Sequence, residues 1–380
     1  MIYADIKPEL LRWACKRAGF GIDDLVKRIP QLPAWERGEA KPTLKQIEKF
    51  AKTVYAPVGF LFLQEPPVEQ VPIQDFRTVG NQHIGHPSPD LLETIYTCQQ
   101  RQEWYRDYAR SMNETPCPFV GAANLTQNVE TVAERIRQAL DFDIEARRRM
   151  KTWKEALRRF IEQADNAGVM VMVNGVVGSN NHRKLDPDEF RGFALSDELA
   201  PLIFINGSDT KSAQMFTLAH EMAHIWLGET GLSDVEPVGS PSNRVEQWCN
   251  HVAAELLVPL VTLRTEYRQS DDLTAEVSRL AQYFKVSTLV ILRRIYDAGH
   301  LTQQDLWTEY REELHRLLAI PMGSGGNFYL THAARVSKRF ARALVASTFE
   351  GQTLHRDAFR LLGFSKLATF RELGHSLGVV

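Results

Sequence analysis

The stretch at residues 216–228, FTLAHEMAHIWLG, decides how the central part of this chain is built. Nearly all of its residues are apolar and Gly228 is a typical helix stop, so the stretch predicts a helix with a largely buried surface. Positions i and i+4 of a helix lie nearly above one another. The imidazoles of His220 and His224 therefore point the same way, and both can bind one metal ion. Glu221 is offset from this row, where its carboxylate can reach a metal-bound water.

The HExxH spacing is the arrangement of zinc peptidases, in which two histidines bind Zn²⁺ and the glutamate is the general base. The same five residues also occur by chance in helices that bind nothing, so an amphipathic helix with two satisfied histidines is the alternative. Two histidines and a glutamate in so apolar a stretch are costly unless something compensates them. A catalytic zinc ion also needs a third protein ligand, which leaves the fourth position to water.

A second helix is predicted at residues 244–259, RVEQWCNHVAAELLVP, and Pro259 closes it. Glu246 lies 22 residues after His224, across a loop rich in Gly, Pro and Ser that lets the second helix return beside the first. Glu246 is therefore a candidate third ligand. Asn250, four residues further on, lies on the same helix face as Glu246. It can hydrogen-bond the imidazole of a metal-binding histidine without binding the metal itself.

The two blocks together, in this order, resemble the ImmA/IrrE family of metallopeptidases, whose pattern is HExxH followed by ExxxNxxAAELLxP. The resemblance covers roughly residues 190–259. It implies that His220 and His224 are zinc ligands, that Glu221 is the base, and that Glu246 is the third ligand. Glu255 in AAELL is the rival third ligand or a structural carboxylate, and the spacing of Glu246 resembles the gluzincin-type pattern more closely.

Three strands are predicted upstream of these helices. Residues 168–178, GVMVMVNGVVG, are rich in β-formers and bounded by glycines, and residues 190–208 contain two further strands with a turn between them. We therefore expect an α+β fold with a small zincin-like core flanked by helical domains. In zinc peptidases an edge strand of such a sheet pairs with the extended substrate, although the sequence does not show which strand is the edge.

The chemistry expected of this site is hydrolysis of an amide. Zinc lowers the pKa of its bound water and polarises the scissile carbonyl, while Glu221 takes the proton and passes it to the leaving amine. A second electrophile usually stabilises the oxyanion. His251 and His182 are candidates, although a lone histidine is more often structural.

The N-terminal part, residues 1–67, resembles the XRE (Cro/repressor-type) helix-turn-helix family. The resemblance is carried by Trp35-Glu36-Arg37-Gly38 followed by Pro42-Thr43-Leu44. It implies a DNA-binding unit, for which Arg37 and Lys41 are candidate contacts. Residues 1–52 contain 11 basic and 7 acidic residues, an excess that mildly supports a phosphate-facing surface.

This N-terminal unit departs from its family where DNA is read. The 10 residues from Leu25 to Trp35 are fewer than the family uses between the corresponding positions. The missing stretch is the turn and the start of the recognition helix, which lies in the major groove. Pro30 and Pro33 also oppose a normal helix there. The alternative to sequence-specific DNA binding is a degenerate fold used for protein contact.

A second helix-turn-helix candidate lies at residues 266–302. The sequence KVS supplies its turn and Ser287 is the expected N-cap of its second helix. Arg293 and Arg294 on that helix are candidate DNA contacts. The alternative is a helical hairpin packed on the catalytic domain.

The remaining regions carry weaker signals. Residues 68–165 predict an ordered linker at 71–89 followed by a long amphipathic helix. Residues 303–380 predict a glycine-interrupted, basic helical region, with 8 basic and 3 acidic residues after position 330. The zincin-like metallopeptidase core is predicted at residues 166–265.

Composition restricts the compartment and the partners. The net charge is −2, and no apolar run reaches the roughly 18 residues of a membrane span. The four cysteines are far apart and lack CxxC spacing, which is typical of reduced thiols. We therefore expect a cytoplasmic protein without a membrane partner.

By resemblance, family members act on DNA-bound repressors. The expected function is thus a zinc endopeptidase of narrow specificity that cleaves a repressor or another regulator. A zinc amidase acting on a different amide is permitted by the same ligands. The rival class is a DNA-binding transcription regulator, or an antitoxin with a cognate toxin, whose metal site is structural or vestigial.

Overall fold

The computed structural model describes residues 3–78, 86–233, 243–269, 272–318, 335–364 and 366–379. Its internal contacts divide the chain into two compact units. Unit 1 contains Met1–Pro72 and His83–Ile95, and unit 2 contains Ile73–Gln82 and Tyr96–Val380. The chain therefore enters unit 2 at residue 73, returns to unit 1 at residue 83, and enters unit 2 again at residue 96.

Unit 1 is built from short helices around its own apolar core. The α-helices in its first segment are α1 (Pro8–Arg17), α2 (Ile22–Leu25), α3 (Leu32–Glu36) and α4 (Leu44–Thr53), and a 3-10 helix follows at Val58–Phe62. The shortened spacing before Trp35 appears as helices α2 and α3 of only four and five residues. Pro33 lies in the first turn of α3, where proline is tolerated, and α3 ends after five residues.

The other helices form most of unit 2, and the first of them, α5, starts in unit 1. The long amphipathic helix predicted from the sequence is α5. These helices are α5 (Pro89–Ser111), α6 (Val129–Leu140), α7 (Ile144–Arg148), α8 (Trp153–Ala167), α9 (Lys211–Leu227), α10 (Arg244–Leu257), α11 (Leu260–Glu266), α12 (Leu273–Phe284), α13 (Thr288–Asp297), α14 (Gln303–Leu318), α15 (Lys338–Phe349), α16 (His355–Leu362) and α17 (Leu367–Leu377).

A five-stranded mixed sheet lies in unit 2, in the order β1-β5-β3-β4-β2. The strands are β1 (Gln74–Asp75), β2 (Met170–Asn174), β3 (Gly192–Leu195), β4 (Leu202–Asn206) and β5 (Gly231–Leu232). Strand β4 pairs in parallel with β2 and antiparallel with β3, and β5 pairs antiparallel with β3 and in parallel with β1. The predicted α+β class and the three predicted strands, β2 to β4, are confirmed.

The ordered linker predicted at residues 71–89 takes part in the sheet over its first part. Gln74 and Asp75 form an edge strand of the sheet, and a 3-10 helix follows at Phe76–Thr78. Two residues of β-structure leave no hydrophobic alternation to detect, so nothing in the local sequence announces this pairing. The continuation of the predicted linker, residues 79–85, lies outside the described residues.

Helices α9 and α10 are delimited by the capping residues that their sequences supply. Thr210 accepts a hydrogen bond from the backbone N–H of Ala213 at the start of α9, and Gly228 ends that helix in the left-handed conformation, at φ 76°. Asn243 caps α10 in the same way through the N–H of Val245. Both helices belong to one apolar core, shared with β2 to β4, so the residues they present to each other are held away from water.

The predicted hairpin after these helices exists as α12 and α13, and its cap is confirmed because Ser287 accepts a hydrogen bond from the N–H of Val290. Val290, Ile291 and Ile295 of α13 lie in the core that also contains α9 and α10. The hairpin is thus packed on the unit that contains α9 and α10, which favours the structural alternative.

The basic C-terminal helix of the sequence is α15, and its cations pair within unit 2. Lys338 lies 3.0 Å from Glu162 and Arg339 lies 2.7 Å from Glu114. The glycine-rich stretch before it falls within residues 319–334, outside the described residues. All four cysteines are free thiols. No helix in the described part of the chain is both long and apolar enough to cross a membrane.

Candidate metal centre

His220, His224 and Glu246 meet at one point between α9 and α10. The Nε2 atoms of the two histidines are 3.1 Å apart. One oxygen of Glu246 lies 3.2 Å from Nε2 of His220, and the other lies 3.0 Å from Nε2 of His224. All three side chains are completely buried. The structure therefore brings together three ligand-type side chains, from two separate stretches of sequence, with their donor atoms facing one another.

Asn250 fixes the orientation of His220. Its Oδ1 accepts a hydrogen bond of 2.9 Å from Nδ1 of His220. An imidazole that donates from Nδ1 keeps the lone pair on Nε2, so the nitrogen facing Glu246 is the one able to bind a cation. Asn250 and Glu246 lie one turn apart on α10, which is why a single helix supplies both contacts.

His224 is oriented differently. The ring of Phe76 stacks on the His224 ring, with centroids 5.2 Å apart and planes inclined by 24°. Among the described residues, Nδ1 of His224 has no hydrogen-bond partner. The support that Asn250 gives to Nδ1 of His220 therefore has no counterpart at Nδ1 of His224, where the ring stacking of Phe76 contributes to the orientation.

Glu221 stands beside the cluster without joining it. Its Oε2 accepts a hydrogen bond of 3.1 Å from the hydroxyl of Ser233, whereas Oε1 is buried and has no partner among the described residues. Gly192 of β3 makes room for this carboxylate, because a Cβ atom there would lie 3.1 Å from Oε1 and only 2.6 Å from the methyl group of Thr217. A carboxylate held by one oxygen and free at the other is suited to accept a proton.

The electrostatics of the cluster favour a positive charge between its members. Burial lowers the pKa of His220, but Glu246 outweighs burial and raises that pKa above its usual value. For His224 burial prevails and the pKa is lowered. Burial opposes ionisation of Glu246, yet the two histidines outweigh it and lower the pKa to about 2. An anionic carboxylate thus faces two imidazoles in the interior.

The pKa of Glu221 is shifted in the opposite direction from that of Glu246. Burial raises its pKa, the charge on His220 opposes this rise and that on Glu246 adds to it, and the result is about 8. One carboxyl group of this site therefore retains its charge and the other readily holds a proton, although they share the same interior. Such separation of two neighbouring carboxyl groups is typical of acid–base sites.

The residues fit a zinc ion. The donor set of two imidazole nitrogens and one carboxylate is that of catalytic zinc sites with an open fourth position. Ligand atoms about 2.1 Å from a tetrahedral zinc ion lie roughly 3.4 Å from one another, and the separations given above are close to this value. The hydrogen bond from His220 to Asn250 supplies the outer support that metal-binding histidines require.

The rival ligand Glu255 lies elsewhere. Its carboxylate forms a buried ion pair with Arg294 and accepts a hydrogen bond from the N–H of Leu260. Nine residues, or two and a half turns, separate it from Glu246 on α10, so it faces the opposite direction. The structure thus places Glu246, and not Glu255, beside the histidines.

Neither histidine suggested for the oxyanion is found at the cluster. His251 is exposed on α10, where the charged groups that act on it are Arg293, Asp297 and Arg294. His182 is exposed in the loop between β2 and β3. The structure gives neither of them a contact with the three ligand-type residues.

The candidate DNA contacts also differ in their surroundings. Arg294 is 5% exposed and is bound to Glu255 and Asp297, so its expected role as a DNA contact is wrong. Arg293 is half-buried and pairs with Asp297 at 2.9 Å. Arg37 and Lys41 of unit 1 are exposed, and their ion pairs with Glu39 and Asp5 are surface pairs of the kind that contribute little.

Three contributors to this site have no signal in the sequence motifs. Ser233 follows the two-residue strand β5, Phe76 follows the two-residue strand β1, and Gly192 opens β3. A glycine at a strand start and a lone Ser or Phe in a polar loop are too common to single out. Only the pairing of β1 and β5 with the sheet brings them to the cluster.

Comparison with known proteins agrees with this geometry. Residues 164–296 match the family model of the M78 peptidases, described as the IrrE N-terminal-like domain. The matched region contains β2 to β5 and α9 to α13, and it supports assignment of this part of the chain to the ImmA/IrrE metallopeptidases. Residues 336–376, which contain α15 to α17, match a domain of unknown function. The chain matches no curated protein and no solved structure.

Proposed function

We propose that this chain is a zinc-dependent endopeptidase with a zincin-like core, and that it cleaves a regulatory protein such as a transcriptional repressor. The observation that carries the proposal is the convergence of His220, His224 and Glu246 in an interior site, with Glu221 beside them and unpaired at Oε1. A structural zinc site is normally closed by four protein ligands. Three ligand-type side chains among the described residues, with an adjacent carboxyl group, favour a catalytic centre over a structural one.

In this proposal His220, His224 and Glu246 hold Zn²⁺, which when bound polarises the scissile carbonyl and lowers the pKa of a water molecule. Glu221 takes the proton of that water at Oε1, while Ser233 keeps Oε2 in place. The raised pKa of Glu221 suits a group that must first accept a proton and then return it to the leaving amine. Asn250 keeps His220 in the tautomer that binds through Nε2.

The cytoplasm is the compartment proposed for this activity, since the cysteines are free and a regulatory target would be found there. Unit 1 is proposed to contact that target or the DNA to which the target is bound. Helices α2 and α3 are too short to present a full reading helix, and the exposed cations Arg37 and Lys41 suit phosphates without selecting bases. A cognate toxin remains an alternative partner.

Proteome comparison tests this function directly. Cells that make the Glu221→Gln variant should accumulate the full-length target, and cells that make the wild type should contain new termini from it. Glu130→Gln is the matched control, because Glu130 is exposed in the first turn of α6. If the new termini are equally abundant with Glu221→Gln and with the wild type, the chain is not their peptidase.

A further inference from the structure

One ligand-type residue of the metal centre, His224, is covered by the chain's own segment at residues 74–77, which we call the strap. His220, Glu221, His224 and Glu246 are all 0% exposed, so an extended peptide cannot reach them in this conformation. The strap lies against the cluster through Phe76, whose ring stacks on His224 and is itself 3% exposed. Access to the site therefore requires that something move, and the strap is in direct contact with a ligand-type residue.

The strap is bound in the way that a substrate peptide would be. Gln74 and Asp75 extend the sheet by pairing in parallel with Gly231 and Leu232 of β5. Extended peptides bind to sheet edges by this same strand addition, with backbone hydrogen bonds giving affinity and side-chain pockets giving selectivity. Without the strap, β5 would be the edge strand, and it leads directly to Ser233, the partner of Glu221.

The ring of Phe76 lies between Gly231 of β5 and His224 of the cluster. A Cβ atom on Gly231 would overlap the Phe76 ring, so the ring occupies the space that only a glycine leaves open beside His224. An aromatic side chain of a peptide bound along β5 would find the same space. The contact thus indicates that the position beside His224 accepts an aromatic side chain.

Apart from its ring, the strap is held by polar contacts of Arg77 and by its pairing with β5. Arg77 donates to both carboxylate oxygens of Asp75 within the strap, and to the backbone carbonyl of Glu189. The pairing with β5 spans only two residues. A strand that pairs over only two residues should open locally at a lower free-energy cost than the longer strands of the sheet.

The chain on both sides of the strap belongs to unit 1. Residues 73–82 belong to unit 2, whereas the residues before 73 and those at 83–95 belong to unit 1. A partner that binds unit 1 therefore acts on a body to which both ends of the strap are tethered. This connectivity gives a physical route by which recognition can bias an open state against a closed one.

We propose that the strap is a built-in substrate mimic: it keeps the metal centre closed, and it is displaced by an extended peptide that places an aromatic side chain in the Phe76 pocket. The proposal rests on the proposed function for its meaning, and it names both the regulation and the substrate class of that site.

Gly231→Ala tests the strap without altering it. The added methyl group should eject the Phe76 ring, and Phe76→Ala should have the same effect by removing the ring. Gly59→Ala is the matched control, because Gly59 has open space around it. Hydrogen exchange at 73–78 and 230–233 should be about tenfold faster or more in both test variants, as loss of a buried phenylalanine contact predicts. Transfer of bound zinc to a chelator should accelerate similarly.

A peptide supplied in trans tests the mimicry. The hexapeptide IQDFRT, which copies residues 73–78, should slow exchange at 230–233 and slow zinc transfer in the Phe76→Ala variant, whereas IQDART should not. Equal effects of the two peptides, or none from either, would overturn the aromatic pocket. Accelerated exchange throughout residues 164–296 in Gly231→Ala would show a purely structural strand and overturn the closure.

Failure of this inference is distinguishable from failure of the proposed function. Hydrogen exchange needs neither metal nor activity, so the strap is tested even if the protein binds no zinc. If zinc binds and a target is cleaved but hydrogen exchange in both variants equals that of the wild type, the strap proposal is refuted and the proposed peptidase function is supported. If hydrogen exchange is faster in both variants as expected but no target is cleaved, the strap proposal is supported and the proposed peptidase function is refuted.

Discussion

The two glutamates of α10 should separate metal binding from stability. Glu246 faces both imidazoles, whereas Glu255 is buried against Arg294. Glu246→Gln should therefore lose zinc affinity by more than the roughly 10–100-fold typical of losing an outer contact to a metal site. Glu255→Gln should keep zinc affinity near that of the wild type, because its carboxylate does not contact the cluster.

The free energy of unfolding should be affected in the opposite order, so we expect Glu255→Gln to be the more destabilised variant. Removing one member of a buried ion pair leaves the other charge uncompensated and costs about 3–5 kcal/mol. Asp297 also lies 3.3 Å from Arg294 and retains part of the counter-charge, so we expect Glu255→Gln to cost about 3 kcal/mol. Glu246→Gln should cost less in the metal-free protein, because its partners are histidines, which can lose their protons, whereas Arg294 keeps its charge.

Two measurements resolve this prediction. Competition with a chromophoric chelator gives the zinc affinity of each variant, and urea unfolding of the metal-free proteins gives their free energies of unfolding. The reasoning is refuted if Glu255→Gln empties the site while Glu246→Gln retains zinc. It is also refuted if Glu246→Gln is the more destabilised variant in the absence of metal.

Three further outcomes are expected. Asn250→Ala should weaken zinc binding about 10–100-fold, measured by the same competition, because His220 loses its outer hydrogen bond; unchanged affinity would remove Asn250 from the site. In metal-free protein the raised folded-state pKa of Glu221 makes its contribution favourable below its unfolded value of 4.5 and progressively lost up to about pH 8. The stability advantage of Glu221→Gln over the wild type should therefore grow across that interval in urea unfolding, and a constant difference would contradict the raised pKa. DNA binding through unit 1 should be weak and strongly salt-dependent, and a tight complex with one operator that persists at high salt in binding assays would show that α2 and α3 do read bases.

Much of the metal centre could be predicted because its parts lie on two long helices. The i, i+4 spacing fixes the relation of His220 to His224, and the same spacing on α10 relates Glu246 to Asn250. The loop between the helices only had to be long enough for α10 to return. Strands β2 to β4 were equally visible, since each is an apolar run bounded by turn residues.

The remaining features depend on contacts that local sequence does not encode. Strands β1 and β5 are two residues long, so neither carries a periodic pattern, and only their mutual pairing brings Phe76 and Ser233 to the site. Arg294 resembled a DNA contact because it follows another arginine on a helix. Its burial became apparent only once α13 was packed beside the end of α10.

The central claim is that this chain hydrolyses peptide bonds with Glu221 as the base. Its most direct test is cleavage of the isolated target protein by purified, zinc-loaded wild type, Glu221→Gln and Glu130→Gln. Glu221→Gln retains the metal ligands, so zinc content should be equal in all three, while loss of the general base should slow cleavage about 10²–10⁴-fold. Glu130→Gln should cleave like the wild type. Cleavage by Glu221→Gln at the wild-type rate, with zinc verified in both, would contradict the claim.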